Sequence, residues 1–293
     1  MLVSNLRPSK ALRVGAVGCS LCLSGCLGTP TPLAPQLGGS VGLPHSGVQT
    51  ESVELPRTGR GFTRYRPDGV ANWGQPHLVQ ALTRTASQLA EYWGASPPLV
   101  LGDLSSKRGG RIPRHKSHRT GRDVDLLWQL TTLDGTPVRN PGFVPIGEDG
   151  LGVAPGSGPT YRLDVTRQWR VVRSLMLSED IDVQWMFCSE PVEALLIEHA
   201  RARGEADELV WRAETVLQQP ADSLPHDDHI HMRIACRPED TLRGCVGGGP
   251  RWEWSPAVPS LAALTREDLE EIGRADPLGL EPEREVQASV QVV

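Results

Sequence analysis

Two short stretches of this chain hold the residues best suited to chemistry. His115-Lys116-Ser117-His118-Arg119-Thr120-Gly121-Arg122-Asp123-Val124-Asp125 and His226-Asp227-Asp228-His229-Ile230-His231-Met232-Arg233 together carry five of the eight histidines. Alternate side chains of a strand share a face. Read as strands, His229, His231 and Arg233 point one way, into a polar cleft, while Ile230, Met232 and Ile234 point into a core. Asp123 and Asp125 likewise share a face, opposite Val124 and Leu126. Imidazole and carboxylate without thiolate suit a catalytic zinc, which takes three N/O protein ligands and leaves a fourth position for water. Neither stretch alone would mean much, because a lone His-x-His is common in sheets. Asp103 and Ser105 lie in a glycine-rimmed turn, where they either orient a histidine from behind or form a plain Asx-type turn.

The elements that must position these groups are legible in outline. Leu78, Val79, Leu82, Ala86, Leu89 and Tyr92 recur at helical spacing between Pro76 and Trp93, and proline suits a first helical turn. Leu99-Val100-Leu101 reads as a strand, as do Asp123 to Trp128, Val183 to Phe187 and His229 to Ile234. Trp169, Val172, Leu175 and Met176 mark a second helix, and Val192, Leu195, Leu196 and His199 a third. A Gly/Pro-rich loop is expected from about 134 to 160 and would frame a cleft. Helices mixed with antiparallel-looking strands, without a regular βαβ rhythm, indicate α+β. The expectation is a small antiparallel sheet carrying the ligands, flanked by helices and long loops. Trp73 and Trp128 read as core residues before cleft residues; Trp252 and Trp254 have no assigned role.

With these residues in view, the chain resembles the penicillin-insensitive murein endopeptidases, within the wider group of lysostaphin-type peptidases, D-Ala-D-Ala metallopeptidases and the hedgehog zinc domain. The resemblance rests on Asn72-Trp73-Gly74-Gln75-Pro76, Gly102-Asp103-Leu104-Ser105 with Gly109-Gly110, and the two histidine stretches. It spreads over about residues 60 to 240, and its strongest element is His118 with Asp125 followed at a distance by His229-Ile230-His231. It implies that His118, Asp125 and His231 ligate Zn2+ and that His229 faces the reacting water. His226 matches a further active-site histidine, and His115 lines the cleft or touches a second metal. The implied reaction is metal-assisted amide hydrolysis. His229 accepts a proton from water, made acidic by zinc, and returns it to the leaving amine. The oxyanion is met by zinc with His226 or Arg233; alternatively, Arg233 pairs with Asp227 or Asp228. The implied substrate is peptidoglycan, at the D-alanyl–diaminopimelyl cross-link, with no serine for a β-lactam to acylate. A D,D- or L,D-carboxypeptidase or dipeptidase on the same framework, and a non-catalytic wall-binding lipoprotein, are the alternatives.

The remaining sequence concerns location. Arg7, Lys10 and Arg13 precede a short apolar stretch from Val14 to Leu23, the layout of a secretory signal. Leu23-Ser24-Gly25-Cys26 resembles the lipobox of bacterial lipoproteins, which implies lipidation of Cys26, a periplasmic domain and, since Leu27 is not acidic, an outer-membrane anchor. Residues 27 to 50 carry no Asp, Glu, Lys or Arg and are rich in Gly, Pro, Ser and Thr, a linker composition. Cys236 and Cys245 flank a short loop and are the disulfide candidates for an oxidising compartment, with Cys188 a buried thiol. The division expected is 1–25 signal peptide, 26–55 lipidated cysteine and linker, 56–255 zinc peptidase domain, and 256–293 C-terminal helix and acidic tail. A net charge of −5 over 293 residues argues against a nucleic-acid binder. No apolar run reaches the ~20 residues of a membrane span. The partners expected are thus peptidoglycan and a membrane reached through the lipid; a homodimer is compatible with the chain.

Overall fold

A computed structural model describes residues 39–221 and 223–257, so the signal peptide, Cys26 and the expected helix at 260–272 lie outside the described residues. The described chain runs β1 (Ser40–Leu43), β2 (Ser46–Gln49), β3 (Val53–Glu54), β4 (Thr58–Gly59), β5 (Phe62–Arg64), β6 (Trp73–Gly74) and α1 (Pro76–Trp93). Next come β7 (Leu99–Leu101), β8 (Asp123–Leu127), β9 (Leu130–Thr131), β10 (Pro137–Val138), β11 (Leu151–Val153), β12 (Thr160–Leu163) and α2 (Val165–Met176). It ends with β13 (Val183–Phe187), α3 (Glu190–Ala202), α4 (Asp207–Val216), β14 (Leu217–Gln218), β15 (His229–Ile234) and α5 (Pro238–Leu242). The fold is α+β.

The main sheet has seven strands in the order β14-β13-β15-β8-β7-β5-β4. It is mixed: β13 pairs with β14, and β5 with β7, in parallel, while β13, β15, β8 and β7 form the antiparallel centre. The expected small antiparallel sheet is therefore only the middle of a larger one. The outer strands are too short to show period-2 patterning, and their pairing depends on the helices between them. The expected loop at 134–160 also contains β10 and β11, part of a four-stranded sheet ordered β10-β9-β12-β11.

Alternation gives the central sheet a dry side and a wet side. Val124, Leu126, Met186, Ile230, Met232 and Ile234 point into the core, where they join Leu78 and Leu82 of α1, Trp169 and Val172 of α2 and Leu196 of α3. Trp128 is fully buried, as expected of a core residue. Each helix is bounded by its own sequence. Pro76 opens α1, and Gly94, at φ 66°, closes it. The Asp164 side chain caps α2 by accepting from Arg167 N. Glu190 and Glu193 stand in the first turn of α3.

Residues 40 to 54, assigned by composition to a linker, are instead built into the fold as β1 to β3. Ser40 and Gln49 are buried. Gln49 donates to the Ser106 carbonyl at 2.7 Å and accepts from Gln75 Nε2 at 3.1 Å. The buried Arg122 reaches Ser40 Oγ (3.0 Å), the Ile234 carbonyl (3.0 Å) and the Val246 carbonyl (2.9 Å), tying the hairpin to β15 and the C-terminal segment. Burial pulls its guanidinium down to about 10, still charged at neutral pH. Cys236 and Cys245 form a disulfide with Cα atoms 5.9 Å apart, and Cys188 is a buried free thiol, its pKa pushed up by burial. Among the described residues no helix is long and apolar enough to cross a membrane.

Candidate metal centre

The pairing of β15 with β8 sets His231 opposite Asp125 and Arg233 opposite Asp123, all on the wet face. Asp125 is fully buried in the middle of β8, its backbone N donating to the Asp103 carbonyl at 3.1 Å. His118 comes from the loop between β7 and β8 and is also fully buried. Its backbone sits at φ 61°, an uncommon region for a non-glycine residue, of the kind that clusters at functional sites. Gly121 helps to hold this loop. It has φ 73°, and a Cβ there would lie 1.8 Å from Gln49 Oε1, so the N-terminal hairpin closes directly against the metal-site loop.

Three atoms converge. His118 Nε2 lies 3.2 Å from Asp125 Oδ1 and 3.2 Å from His231 Nδ1, and His231 Nδ1 lies 3.5 Å from Asp125 Oδ1. Ligands about 2.0–2.1 Å from a tetrahedral ion stand about 3.3–3.4 Å from one another, so this triangle has the dimensions of one face of such a site. The outer nitrogens are already committed. His118 Nδ1 donates to the Leu104 carbonyl at 2.7 Å, and His231 Nε2 donates to Asp123 Oδ1 at 2.9 Å. In the neutral tautomer so fixed, the two inner nitrogens present lone pairs to each other and to a carboxylate. Both Asp125 oxygens are buried without a hydrogen-bond partner. The donor set therefore fits a divalent cation.

His229 stands beside the triangle, with Nε2 3.4 Å from Asp125 Oδ1 and Nδ1 bonded to Asp228 Oδ1 at 2.5 Å. Phe143 packs edge-on against its ring at 5.3 Å. Burial opposes its protonation, but the charges of Asp125 and Asp228 outweigh burial and lift it to about 10. His226 lies 5.3 Å from His229 between ring centres, and burial with the neighbouring His229 charge lowers it to about 4. The Ser189 backbone N bonds the His226 carbonyl at 2.8 Å, while the Ile146 N and Trp128 Nε1 bond the Asp227 carbonyl at 2.8 and 2.9 Å. These bonds fix the segment that presents both histidines. Burial is the main cause that lowers His231 to about 4, favouring the neutral imidazole. For His118, burial is outweighed by Asp125, and the pKa is raised.

His115 stands beside Asp125 and, with it and His118, forms a candidate metal-holding group. Its Nε2 bonds Asp103 Oδ2 at 2.9 Å and lies 3.9 Å from Asp125 Oδ2. Asp103 also receives Arg66 at 2.9 Å, so it orients a histidine, whereas Ser105 Oγ accepts from Gly121 N. Arg233 differs from both expectations. Its Nε donates to Asp123 Oδ1 at 2.7 Å, and it pairs with neither Asp227 nor Asp228, because the strand register sets it opposite Asp123. Asp123 was visible on the same face as Asp125, but its role as partner to both His231 and Arg233 required the register. Asp228, the partner of His229 Nδ1, could have been found from its place next to a histidine expected to act as a base. Trp73 is half-buried under Lys107 Nζ at 4.9 Å. A cavity of about 450 Å³, lined in part by Asp180, Asp182, Arg212 and Trp254, shares no residue with the histidine cluster.

Comparison with known proteins agrees with this geometry. The family model described as penicillin-insensitive murein endopeptidase matches residues 40–140, which include His115, His118 and Asp125. A penicillin-insensitive murein endopeptidase of Klebsiella pneumoniae (strain 342) is 24% identical over 201 residues, covering 67% of this chain and 66% of the relative. Those of Citrobacter koseri and Escherichia coli O17:K52:H18 are 26% and 25% identical over 217 residues, covering 73% of this chain and 70% of each relative. The chain thus spans about two thirds of the length of the curated relatives it matches. The family-model match over residues 40–140 and these distant relatives, together with the candidate His/Asp metal groups, make the chain similar to the penicillin-insensitive murein endopeptidases, a family of peptidases.

Proposed function

We propose that this protein is a zinc-dependent peptidoglycan endopeptidase that hydrolyses D-alanyl–diaminopimelyl cross-links. The observation that carries it is the triangle of His118 Nε2, Asp125 Oδ1 and His231 Nδ1 with His229 Nε2 at its side. Zinc held by these three residues would act as a Lewis acid and lower the pKa of water toward ~7. His229 Nε2 then takes the proton of the attacking water and delivers it to the leaving amine. Asp228 holds the opposite nitrogen, fixing ring orientation and stabilising the imidazolium. The Asp125 charge is the largest that lifts His229, and were Asp125 to hold a cation this charge would be offset and the His229 imidazole would return toward the neutral form a base requires. His226, its pKa lowered to about 4 chiefly by burial and so neutral at pH 7, would donate a hydrogen bond to the oxyanion. Arg233 is engaged by Asp123 and keeps that carboxylate charged behind His231. No serine or cysteine attacks, so β-lactams leave the reaction untouched. The secretory start, Cys26 and the Cys236–Cys245 disulfide support an exported, lipid-anchored enzyme of the cell envelope.

The test is mass spectrometry of purified peptidoglycan digested by the full chain with and without a chelator. Cross-linked dimers should become monomers, and the chelator should stop this. Trimming of chain ends with dimers intact would instead assign a carboxypeptidase. Metal-loaded protein that changes nothing would assign a wall-binding protein.

A further inference from the structure

Four of the eight tryptophans form part of one continuous row that begins at the metal centre. The row follows from strand register. In the β13–β15 ladder Phe187 sits opposite His231, and Trp185 opposite Arg233, so both rings share the wet face while Met186 points to the core. Phe187 lies 6.0 Å from the His226 ring and 5.8 Å from that of His231. Trp185 stacks beside Phe187 at 5.4 Å, with only 21° between planes. Trp252 meets Trp185 at 5.0 Å, Trp254 stacks beside Trp252 at 5.5 Å, and Trp211 of α4 meets Trp254 at 5.0 Å. Phe187, Trp185, Trp252 and Trp254 are half-buried, and Trp211 is 46% exposed. The buried Arg233, held by Asp123, lies 6.0 Å from the Phe187 centroid, and the partly exposed Arg212, bonded to Glu208, lies 5.4 Å from that of Trp254.

We infer that this aromatic row is a subsite for the glycan strand that carries the scissile peptide. The inference rests on the endopeptidase reading for the substrate at the metal centre, with which the row is continuous. A pyranose ring offers an apolar C–H face and a rim of hydroxyls. Half-exposed aromatic rings match the first feature, and the partly exposed Arg212 beside Trp254 offers a guanidinium to the second. Keeping so many large rings partly wet at one place is unusual for a monomer surface without a ligand.

The test has a binding arm and a kinetic arm, both on the full chain. In the first, peptide-free glycan strands are titrated into the protein and followed by calorimetry. Wild type should bind, and Trp185→Ala should weaken binding about tenfold, the upper range for one aromatic contact, with Trp185→Phe restoring most of it. Trp211→Ala, at the exposed end, should weaken binding in the same direction by about two- to threefold without touching the core. In the second arm, kcat/KM is compared for a glycan-linked cross-linked dimer and a sugar-free peptide dimer. The ratio should exceed one in wild type and fall in both alanine variants. Failure of wild type to bind peptide-free strands, or an unchanged ratio in both alanine variants, would overturn the inference while leaving the endopeptidase reading intact. Tryptophan-dependent glycan binding without cleavage of either dimer would uphold the subsite and reject the endopeptidase.

Discussion

Two imidazole nitrogens and a carboxylate oxygen held 3.2–3.5 Å apart, with the outer nitrogens of both imidazoles already bonded, repel one another unless a cation lies among them. The protein maintains that arrangement by seating His118 at φ 61° and setting Asp123 behind His231. Asp123 is charged because Arg233 and His231 together outweigh its burial. Its loss should therefore be felt at the metal and not only in the reaction. Asp123→Ala is expected to lower zinc affinity about 10–100-fold, measured by competition with a chromophoric chelator; unaltered affinity would remove Asp123 from the account of the site. His229→Ala should behave oppositely, retaining the metal while kcat falls about 10²–10⁴-fold. Loss of metal in that variant would make His229 a ligand and not the base.

At the scale of elements, strands β8 and β15 carry the site, and helices α1 to α3 cover the dry side that holds their register. Helix α3 has an electrostatic cost at its N-terminal turn. Burial, together with the charges of Glu190 and Glu214, raises Glu193 to about 7. A carboxyl whose folded pKa is raised binds more protons folded than unfolded between its ordinary value near 4.5 and about 7. Stability should therefore fall as pH rises through that window. Glu193→Gln should flatten this slope by under about 1 kcal/mol, a modest figure because the side chain is partly solvated. Urea titrations at pH 4.5 and pH 7.5 measure it, and an unchanged slope in the variant would place the pH dependence elsewhere. The alternation of His229 to Ile234 and Asp123 to Leu127 was legible in the sequence because one face is apolar and the other is not. The partner of Arg233 was not, since Asp123 lies 110 residues away and only the register brings it opposite. The hairpin of β1 and β2 was hidden for a different reason. Its glycines and small polar residues resemble a linker, and its order comes from tertiary bonds of Ser40 and Gln49.

At the scale of the whole molecule, residues near both ends of the described chain converge behind the loop and strands that carry the site. The hairpin presses on Gly121, Arg122 ties it to β15 and Val246, and the disulfide closes the segment that follows β15. Replacing both Cys236 and Cys245 by serine should lower unfolding free energy by about 2–3 kcal/mol, the chain-entropy cost of so short a loop. Chemical denaturation with metal content followed in parallel would show it; a stability equal to wild type would mean that Arg122 and the hairpin suffice. The mixed seven-stranded sheet was not legible as a whole, because β4, β5 and β14 have only two or three residues each.

The central claim is that His118, Asp125 and His231 hold one divalent ion. Elemental analysis of the purified full chain, paired with Asp125→Ala, tests it most directly. One equivalent of zinc per chain, lost in a variant that remains folded, is the predicted result; wild type without metal after zinc loading, or an Asp125→Ala protein that keeps its equivalent, would contradict it.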